Sequence, residues 1–420
     1  FKQDKPTLHQ LNIHKNCAKA IAKSSHAQNT RRTLDNNPIS AEQYALATLK
    51  LFAIKSCSLV IDRTNWQYGN INYNPASKNV YSLEANAYTV IQPKWMRLQF
   101  GKDGLSLGPA KRGNLLLSDN APPFDNLRMD VSFDRIKFTY LHGWLRSDPY
   151  EINSAGKISE KKYFVAHRLE FKIFPWLFVA GNESVVYGGR GVQVAYLNPI
   201  TVYHITEQYL GDKDNNTISF DATAFPLKNI KAYASLYLDD FTSSRNPFTY
   251  WKQTWAFQFG TYWVEPFQLR DLDFRFEYSR IEPFVYAHKW DLINYTHFGK
   301  GLGSFLQPNS DDYFFEFRYR PARRYNIAVN YELTRHGTGD IYRFGYEEGF
   351  VDLPPGKQKK HFLQGINERR NALGLNLQVE TFRNHYFFAI VNYSHTANYQ
   401  NTKGRTLIQN RLLVGYKLDY

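Results

Sequence analysis

The alternation of apolar and polar side chains along most of this chain is the feature that most limits its fold. Residues 271–278, 313–320, 325–333 and 373–380 each carry an apolar side chain at every second position. A period of two predicts β-strands with one apolar face. Charged side chains recur on the opposite face, and we find no helical period that could cover so many apolar faces. A barrel with lipid outside and water inside satisfies both faces and leaves no open edge.

The composition agrees with a strand-rich membrane protein. Aromatic residues make up 16% of the 420 residues, and there are only 2 Met and 2 Cys. Aromatic side chains favour strands. No apolar stretch reaches the roughly 20 residues of a transmembrane helix, but membrane strands alternate and average to polar. Cys17 and Cys57 are too few for a disulfide scaffold, and no Cys/His cluster has zinc-type spacing.

The end of the chain carries the same alternation. Leu412, Val414, Tyr416, Leu418 and Tyr420 occupy every second position up to the last residue. A final strand that ends on an aromatic residue is typical of bacterial outer-membrane barrels, and an ordinary edge strand is the alternative. The predicted fold class is therefore all-β, a transmembrane antiparallel outer-membrane β-barrel over residues 77–420. No signal peptide is visible at the start of this chain.

The first 76 residues differ from this pattern and predict a short helical or irregular segment. The run from Ile39 to Phe52 favours a helix, with Ser40 and Gln43 as N-cap and capping-box partner. Leu59–Gly69 resembles the segment around the first catalytic Asp of insertion-sequence DDE transposases, with Asp62 at its position. The remaining catalytic acids have no counterpart, so we predict no transposition activity. A non-functional fused fragment is the favoured interpretation, and a diverged periplasmic plug is the alternative.

Several stretches of the barrel region depart from simple alternation. They are Gly113–Phe124, which ends Ser-Asp-Asn-Ala-Pro-Pro-Phe, then His167–Pro199, and the short motifs Asp214-Asn215 and Leu238–Phe241. In these stretches the chain resembles the Wzi family of outer-membrane capsule-assembly proteins, especially its Bacteroidetes form, from about Tyr81 to Tyr420. The resemblance implies a barrel of roughly 16 to 18 strands. It also implies a lectin-like, non-catalytic protein that binds capsular or extracellular polysaccharide and helps attach it to the cell surface.

Six residues are predicted to bind the polysaccharide as a group. Sugars are held by aromatic faces and planar hydrogen-bonding groups, and the Arg fork suits carboxylates. The net excess of basic charge in the barrel region would favour an acidic polymer and the phosphates of outer-membrane lipid. The alternative is that most Arg and Glu side chains inside the barrel pair with each other and fill the lumen. The predicted residues are Arg112, Asp119, Asn120, Glu183, Tyr187 and Arg190.

Catalytic interpretations have less support. The glycine run Gly188–Gly191 precedes no predicted helix, so it cannot place a helix N-terminus against a phosphate. Ser184 and His167 could belong to a lipase-like catalytic set with an Asn or Asp. However, no nucleophile motif such as Gly-x-Ser-x-Gly surrounds Ser184. Asp239 and Asp240 would point to opposite faces of a strand. We therefore predict that the protein is not an enzyme and needs no metal or cofactor.

The expected partners are capsular or extracellular polysaccharide and outer-membrane lipid, with no nucleic acid, and the protein is expected to be a monomer in the bacterial outer membrane. The alternative function is an outer-membrane porin or transporter. A porin needs an open, water-filled pore with a charged constriction. Bulky Tyr and Arg side chains on the polar faces favour a plugged lumen instead.

Overall fold

The computed structural model describes residues 49–61, 71–74, 79–147, 160–241, 244–342, 349–354 and 357–418. In these residues seventeen strands form one sheet, and a two-stranded hairpin lies apart from it. None of the helices in these ranges is long and apolar enough to cross a membrane. The strands are β1 (Leu49–Ile61), β2 (Ile71–Asn74), β3 (Asn79–Ile91), β4 (Met96–Asp103), β5 (Phe124–Phe133), β6 (Ile136–Arg146), β7 (Lys161–Phe174), β8 (Leu177–Gly188), β9 (Asn215–Leu227), β10 (Ile230–Asp240), β11 (Thr254–Val264), β12 (Leu272–Ile281), β13 (Thr296–His297), β14 (Lys300–Gly301), β15 (Ser310–Tyr319), β16 (Tyr325–His336), β17 (Glu368–Phe382), β18 (His385–Ala397) and β19 (Thr406–Leu418).

The helical elements are few and short. Within the described ranges, the α-helix α1 spans Tyr203–Tyr209, and five 3-10 turns lie at Val194–Leu197, Pro266–Gln268, Asp291–Ile293, Phe350–Asp352 and Tyr399–Asn401. The alternation analysis missed α1, because a helix of two turns is too short to give a periodic signal. No helical period marks residues 203–209 in the sequence, although they form a helix.

The strands from β3 onwards pair antiparallel in chain order, with β12 passing directly to β15. The four stretches with the clearest alternation lie in β12, β15, β16 and β17, so their prediction as strands is confirmed. The last predicted strand is confirmed as β19, which ends at Leu418. The terminal aromatic Tyr420 lies outside the described residues.

The segment before residue 77 differs in part from its prediction. Residues 49–61 form β1, which pairs with β3 from Leu49 opposite Ile91 to Ile61 opposite Tyr81. The end of the helix predicted over Ile39–Phe52 is therefore wrong for residues 49–52. Pairing with a neighbouring strand outweighs local helix propensity, which is a weak preference. Residues 39–48, Cys17 and Asp62 lie outside the described residues, so the transposase resemblance and a domain boundary near residue 76 stay predictions.

Alternate residues of each strand face two different environments. On β15 the outward Phe317 is half exposed, whereas its neighbours Glu316 and Arg318 face inward and pair at 3.2 Å. At the ends of the strands, exposed aromatic rings stack in pairs, Trp95 on Phe133 and Phe174 on Trp176. Aromatic rings of this kind form a belt where a membrane barrel meets water.

The connections at the two ends of the barrel differ in length. The aromatic pairs lie at the end with short turns, such as 134–135, 175–176, 228–229 and 383–384. The other end carries long loops, among them 104–123, 189–214, 241–253, 282–309 and 337–367. Outer-membrane barrels place short turns in the periplasm and long loops outside the cell. The long-loop end is accordingly the extracellular end.

Two of the long loops fold inward and pack against each other. The Tyr286 hydroxyl donates to the Leu115 carbonyl at 2.7 Å, and the Tyr295 hydroxyl donates to the Leu116 carbonyl at 2.8 Å. The Ser118 hydroxyl donates to the carbonyl of Gly303. We call residues 104–123 and 282–309 the plug. Its buried residues Leu105, Leu107, Leu117 and Leu302 belong to one hydrophobic cluster with strand side chains that face inward. These strand residues are Leu141, Phe164, Val186 and Ile281.

Paired charges line much of the remaining lumen. Arg168 binds Asp221 and also Glu170, the latter at 3.1 Å. Arg275 lies 3.6 Å from Glu277 and 3.8 Å from Glu316. The alternative given above, that Arg and acidic side chains inside the barrel pair with each other, is confirmed for these groups.

Candidate functional site

Residues 189–214, here called the flap, leave β8 at the extracellular end and fold back over the outer face of the barrel. The side chains of Arg168 and Asn182 point into the lumen, where both bind Asp221. Their neighbours His167 and Glu183 therefore point outward, because adjacent residues of a strand face opposite sides. The flap covers these two outward side chains.

Glu183 anchors the helix of the flap to the barrel wall. Its carboxylate accepts hydrogen bonds from the backbone N–H groups of Tyr203 at 2.9 Å and His204 at 2.6 Å. These are the first residues of α1, and Val202 before them provides no side-chain cap. His167 Nε2 lies 3.2 Å from the same carboxylate. A carboxylate at this position supplies acceptors that the helix start lacks.

Tyr187 lies at the centre of an aromatic cluster between wall and flap. It is fully buried, stacks on Tyr163 with ring centroids 4.9 Å apart, and contacts Tyr196 of the flap at 5.0 Å. His142 Nε2 lies 2.9 Å from its hydroxyl. The guanidinium of Arg190 lies over its ring at 5.2 Å. Tyr187 therefore contributes to packing of the flap.

Arg190 joins the two ends of the flap. Its Nη2 donates to Asp214 Oδ2 at 2.6 Å, and the Tyr196 hydroxyl donates to the same oxygen at 2.7 Å. The Asp214 side chain is only 1% exposed. The glycine run before Arg190 leads into the 3-10 turn Val194–Leu197, and α1 begins further along the chain.

The other three predicted residues lie elsewhere. Arg112 projects from the plug into the lumen, where it pairs with Glu332 at 2.8 Å and lies 4.2 Å from the Phe314 ring. Asn120 donates to the Gly301 carbonyl at 2.8 Å and so joins the two plug loops. Asp119 is exposed. The structure thus brings together Glu183, Tyr187 and Arg190 but not all six, and their roles in polysaccharide binding stay predictions.

Ser184 and His167 do not form a catalytic pair. Ser184 Oγ lies 2.7 Å from Thr217 Oγ1 and 3.1 Å from the Tyr295 hydroxyl on the lumen side. His167 points to the outer face, where its ring stacks on Tyr203 at 4.4 Å. The barrel wall therefore separates the two side chains.

A polar cleft of about 470 Å³ opens at the extracellular end. It lies between the flap, the upper ends of β9, β10 and β11, and the plug residues 287–289. Asp239 and Asp240 both border it, although they were expected on opposite faces. The register of β10 shifts between Leu238 and Asp240, and such a bulge interrupts simple alternation. The cleft is lined by His204, Glu207, Asp212, Asp214, Asn215, Asn216, Ile218, Leu238, Asp239, Asp240, Phe241, Lys252, Thr254, Ala287, His288 and Lys289.

Two of the short motifs that stand out in the sequence meet at this cleft. Asp214-Asn215 and Leu238–Phe241 border it from two neighbouring strands. Sequence reasoning missed His204, Glu207 and His288, which come from loops whose path no periodicity reveals. In the described part of the chain, no group of three or more His, Cys, Asp or Glu side chains could hold a metal ion.

The stability of the closed flap is expected to fall as the pH rises from 4.5 to about 8. Burial, together with the nearby carboxylates of Asp212 and Asp214, raises the pKa of Glu207 to about 8 from its ordinary 4.5. Between pH 4.5 and about 8, Glu207 is protonated in the closed flap and ionised in an open flap. The free energy of closure therefore becomes less favourable as the pH rises, and the stabilisation by the bound proton is lost above about pH 8. Hydrogen exchange of the flap, corrected for intrinsic rates, measures this effect. Glu207→Gln should remove the dependence, and an unchanged profile would contradict the assignment.

A second cavity of about 340 Å³ lies in the lumen beside β16 to β19. Arg112, Glu332, Arg370 and Arg411 contribute its charged groups. Arg370 also binds Glu332. The plug therefore leaves part of the lumen hollow next to the last strands.

The outer wall is apolar, aromatic rings form a belt, and long loops lie at one end. This fold is that of an outer-membrane β-barrel, and the protein lies in the bacterial outer membrane. The model of the capsule assembly protein Wzi family matches residues 63–407. The chain belongs to this family, as its sequence motifs predict. No curated protein matches the chain.

The fold is shared with a solved barrel structure at low sequence identity. The chain is similar to Wzi of Escherichia coli, an outer membrane protein involved in group 1 capsule assembly and a carbohydrate-binding β-barrel. The two sequences are 11% identical. The match covers 87% of this chain and 81% of that chain, with a TM-score of 0.54. OccAB4 of Acinetobacter baumannii matches at 9% identity over 86% of this chain and 81% of that chain, with a TM-score of 0.47. OccD3 of Pseudomonas aeruginosa matches at 10% identity over 80% and 78%, with a TM-score of 0.45.

Proposed function

We propose that this protein binds capsular polysaccharide at its extracellular end and helps to hold it on the cell surface without cleaving it. The observation that carries the proposal is the polar cleft at the long-loop end, with the exposed ring of Phe241 at its border. Its volume falls in the range of roughly 300–1,000 Å³ typical of ligand sites. Membership of the capsule-assembly family, and the carbohydrate binding of Wzi from Escherichia coli, support the same function.

The groups of the cleft suit sugar hydroxyls. Carboxylates and the Asn216 side-chain oxygen accept hydrogen bonds, and Lys252 and Lys289 donate them. The apolar face of a sugar ring can lie on Phe241. Five carboxyl groups line the cleft against two lysines, so the lining offers few cations to pair with the carboxylates of a polymer rich in uronic acids. We therefore propose neutral or amino-sugar units as the part of the polymer that enters the cleft.

The absence of cleavage is part of the proposal. Ser184 and His167 face opposite sides of the wall, as described above. Asp239 Oδ2 already accepts the Tyr286 backbone N–H at 2.6 Å, a bond that fixes this carboxylate in the plug. These contacts support a holding role for the polar groups of the extracellular end.

Phe241→Ala is expected to weaken polysaccharide binding roughly tenfold, which corresponds to about 1.4 kcal/mol. The physical reason is the loss of the exposed phenyl ring that borders the cleft. Binding is measured on the folded full chain in detergent with purified neutral, amino-sugar-containing and uronic-acid-containing capsular polysaccharides. Asp240→Asn tests the polar lining in the same assay.

Phe248→Ala is the matched control, because Phe248 is an exposed aromatic residue of the same loop that does not line the cleft. Equal losses for Phe241→Ala and Phe248→Ala would contradict a role for the cleft. Conductance in planar bilayers tests the porin alternative beside it. Steady conductance without binding of any polysaccharide would overturn the proposed function.

A further inference from the structure

The outer surface of the flap carries large apolar side chains that face away from the barrel. Ile200 is 81% exposed and Tyr209 is 89% exposed. The inner surface of the flap, by contrast, buries Tyr196 and Tyr203 completely against the wall. The remaining exposed apolar residues of the flap are Val192, Val194, Leu197, Val202 and Ile205. An exposed apolar surface of this extent marks an interaction site.

The height of the flap on the barrel places this surface beside the membrane. We compare how far the exposed apolar residues extend along each strand from the short-turn end. On β18 they extend to Tyr393, and on β19 to Ile408. On β7, which ends at Phe174 on the same side, they stop at Leu169, and Tyr163 above it is buried under the flap. The flap therefore occupies the upper part of the apolar band that other strands expose directly. Without apolar side chains on the flap, this band would be interrupted.

The wall beneath the flap also needs cover. His167 and Glu183 point outward at this height, 3.2 Å apart. An ionisable pair on the lipid-facing side of a barrel is costly within the hydrocarbon region. The flap satisfies Glu183 with backbone N–H groups of Tyr203 and His204 and presents apolar side chains in its place.

We propose that the flap is an interfacial membrane anchor whose Val194, Ile200, Ile205 and Tyr209 side chains contact acyl chains of the outer leaflet. The flap continues the lipid-facing wall and holds the extracellular cleft, which shares His204, Glu207 and Asp214 with it, at the level of the lipid headgroups. Lipid contact is independent of polysaccharide binding, so either can fail without the other.

The test uses the folded full chain with both native cysteines replaced by serine and a single NBD-labelled cysteine. Ile200→Cys reports on the flap, Val414→Cys on the lipid-facing wall and Leu353→Cys on an exposed loop outside it. Protein that shows heat-modifiable migration is reconstituted into phosphatidylcholine and phosphatidylglycerol vesicles with or without doxyl-labelled phosphatidylcholine. Val194→Cys provides a second flap position if the label at residue 200 disturbs folding.

Loss of most NBD emission at every labelled flap position that folds, comparable to the loss at Val414→Cys, is the expected result. If doxyl-labelled lipid quenches the NBD emission at both flap positions as little as at Leu353→Cys, the flap faces water. That result would overturn the proposed anchor. Quenching at one flap position only would confine lipid contact to that position and overturn the continuous surface proposed here.

Discussion

Replacing Arg190 with leucine is expected to open the flap, at a cost of about 3 kcal/mol to its closed state. Asp214, only 1% exposed, would lose its charged partner and keep the Tyr196 hydroxyl. Removing one member of a buried ion pair costs about 3–5 kcal/mol, because the other charge stays buried. Arg190 itself is 33% exposed, which places the expected cost at the lower end of that range.

Hydrogen exchange of residues 189–214 measures this prediction, with about a hundredfold faster exchange expected in the variant. Arg135→Leu is the matched control. Arg135 lies 3.8 Å from Asp134, and the two side chains are 72% and 93% exposed, so loss of this surface pair is expected to change little. Unchanged exchange of the flap in Arg190→Leu would show that the aromatic cluster alone holds it closed.

Gly303→Val is expected to disrupt the plug and to create ion conductance through the barrel. A Cβ at residue 303 would lie 2.2 Å from the Leu115 carbonyl oxygen and 2.6 Å from the Tyr286 hydroxyl. These two atoms are the acceptor and donor of one hydrogen bond that joins the plug loops. Overpacking of this kind costs about 3 kcal/mol, and the strain falls where the two loops meet. The loops must separate to admit the side chain.

Single-channel recording in planar bilayers measures this effect, with larger and more frequent openings expected than in the unaltered protein. Gly191→Val is the control, because a Cβ there meets nothing within 4 Å. A Gly303→Val protein that folds, inserts and conducts no more than the control would place the barrier to ions elsewhere in the lumen.

The strand pattern was predictable because a membrane strand faces lipid on one side and the lumen on the other. Phe315 and Phe317 face outward, and Glu316 between them pairs with Arg275 inside the barrel. The alternation of apolar and polar residues predicts this arrangement without further information. Alternation did not predict β1. Residues at its start favour a helix locally, but pairing with β3 makes them a strand. Alternation is also silent on α1, whose two turns take their orientation from Glu183 on a neighbouring element.

The site was predictable in its parts and not in its arrangement. Glu183, Tyr187 and Arg190 share one stretch of sequence and do lie together, but they hold the flap on the outer wall. The cleft depends on Asp240 and Phe241 at the end of β10 meeting Glu207 of the flap and His288 of the plug, two segments that are distant in the sequence. Loop paths are set by long-range contacts, so residue type and spacing do not reveal them.

The plug has a consequence for the order in which the barrel assembles. Tyr286 and Tyr295 bond to carbonyls that lie 171 and 179 residues earlier in the sequence. The first plug loop therefore stays without these partners until the strands up to β12 and the loop after it have been delivered. Contacts of such sequence separation form late. A chain interrupted before residue 282 would keep the first plug loop but lack the loop to which it bonds.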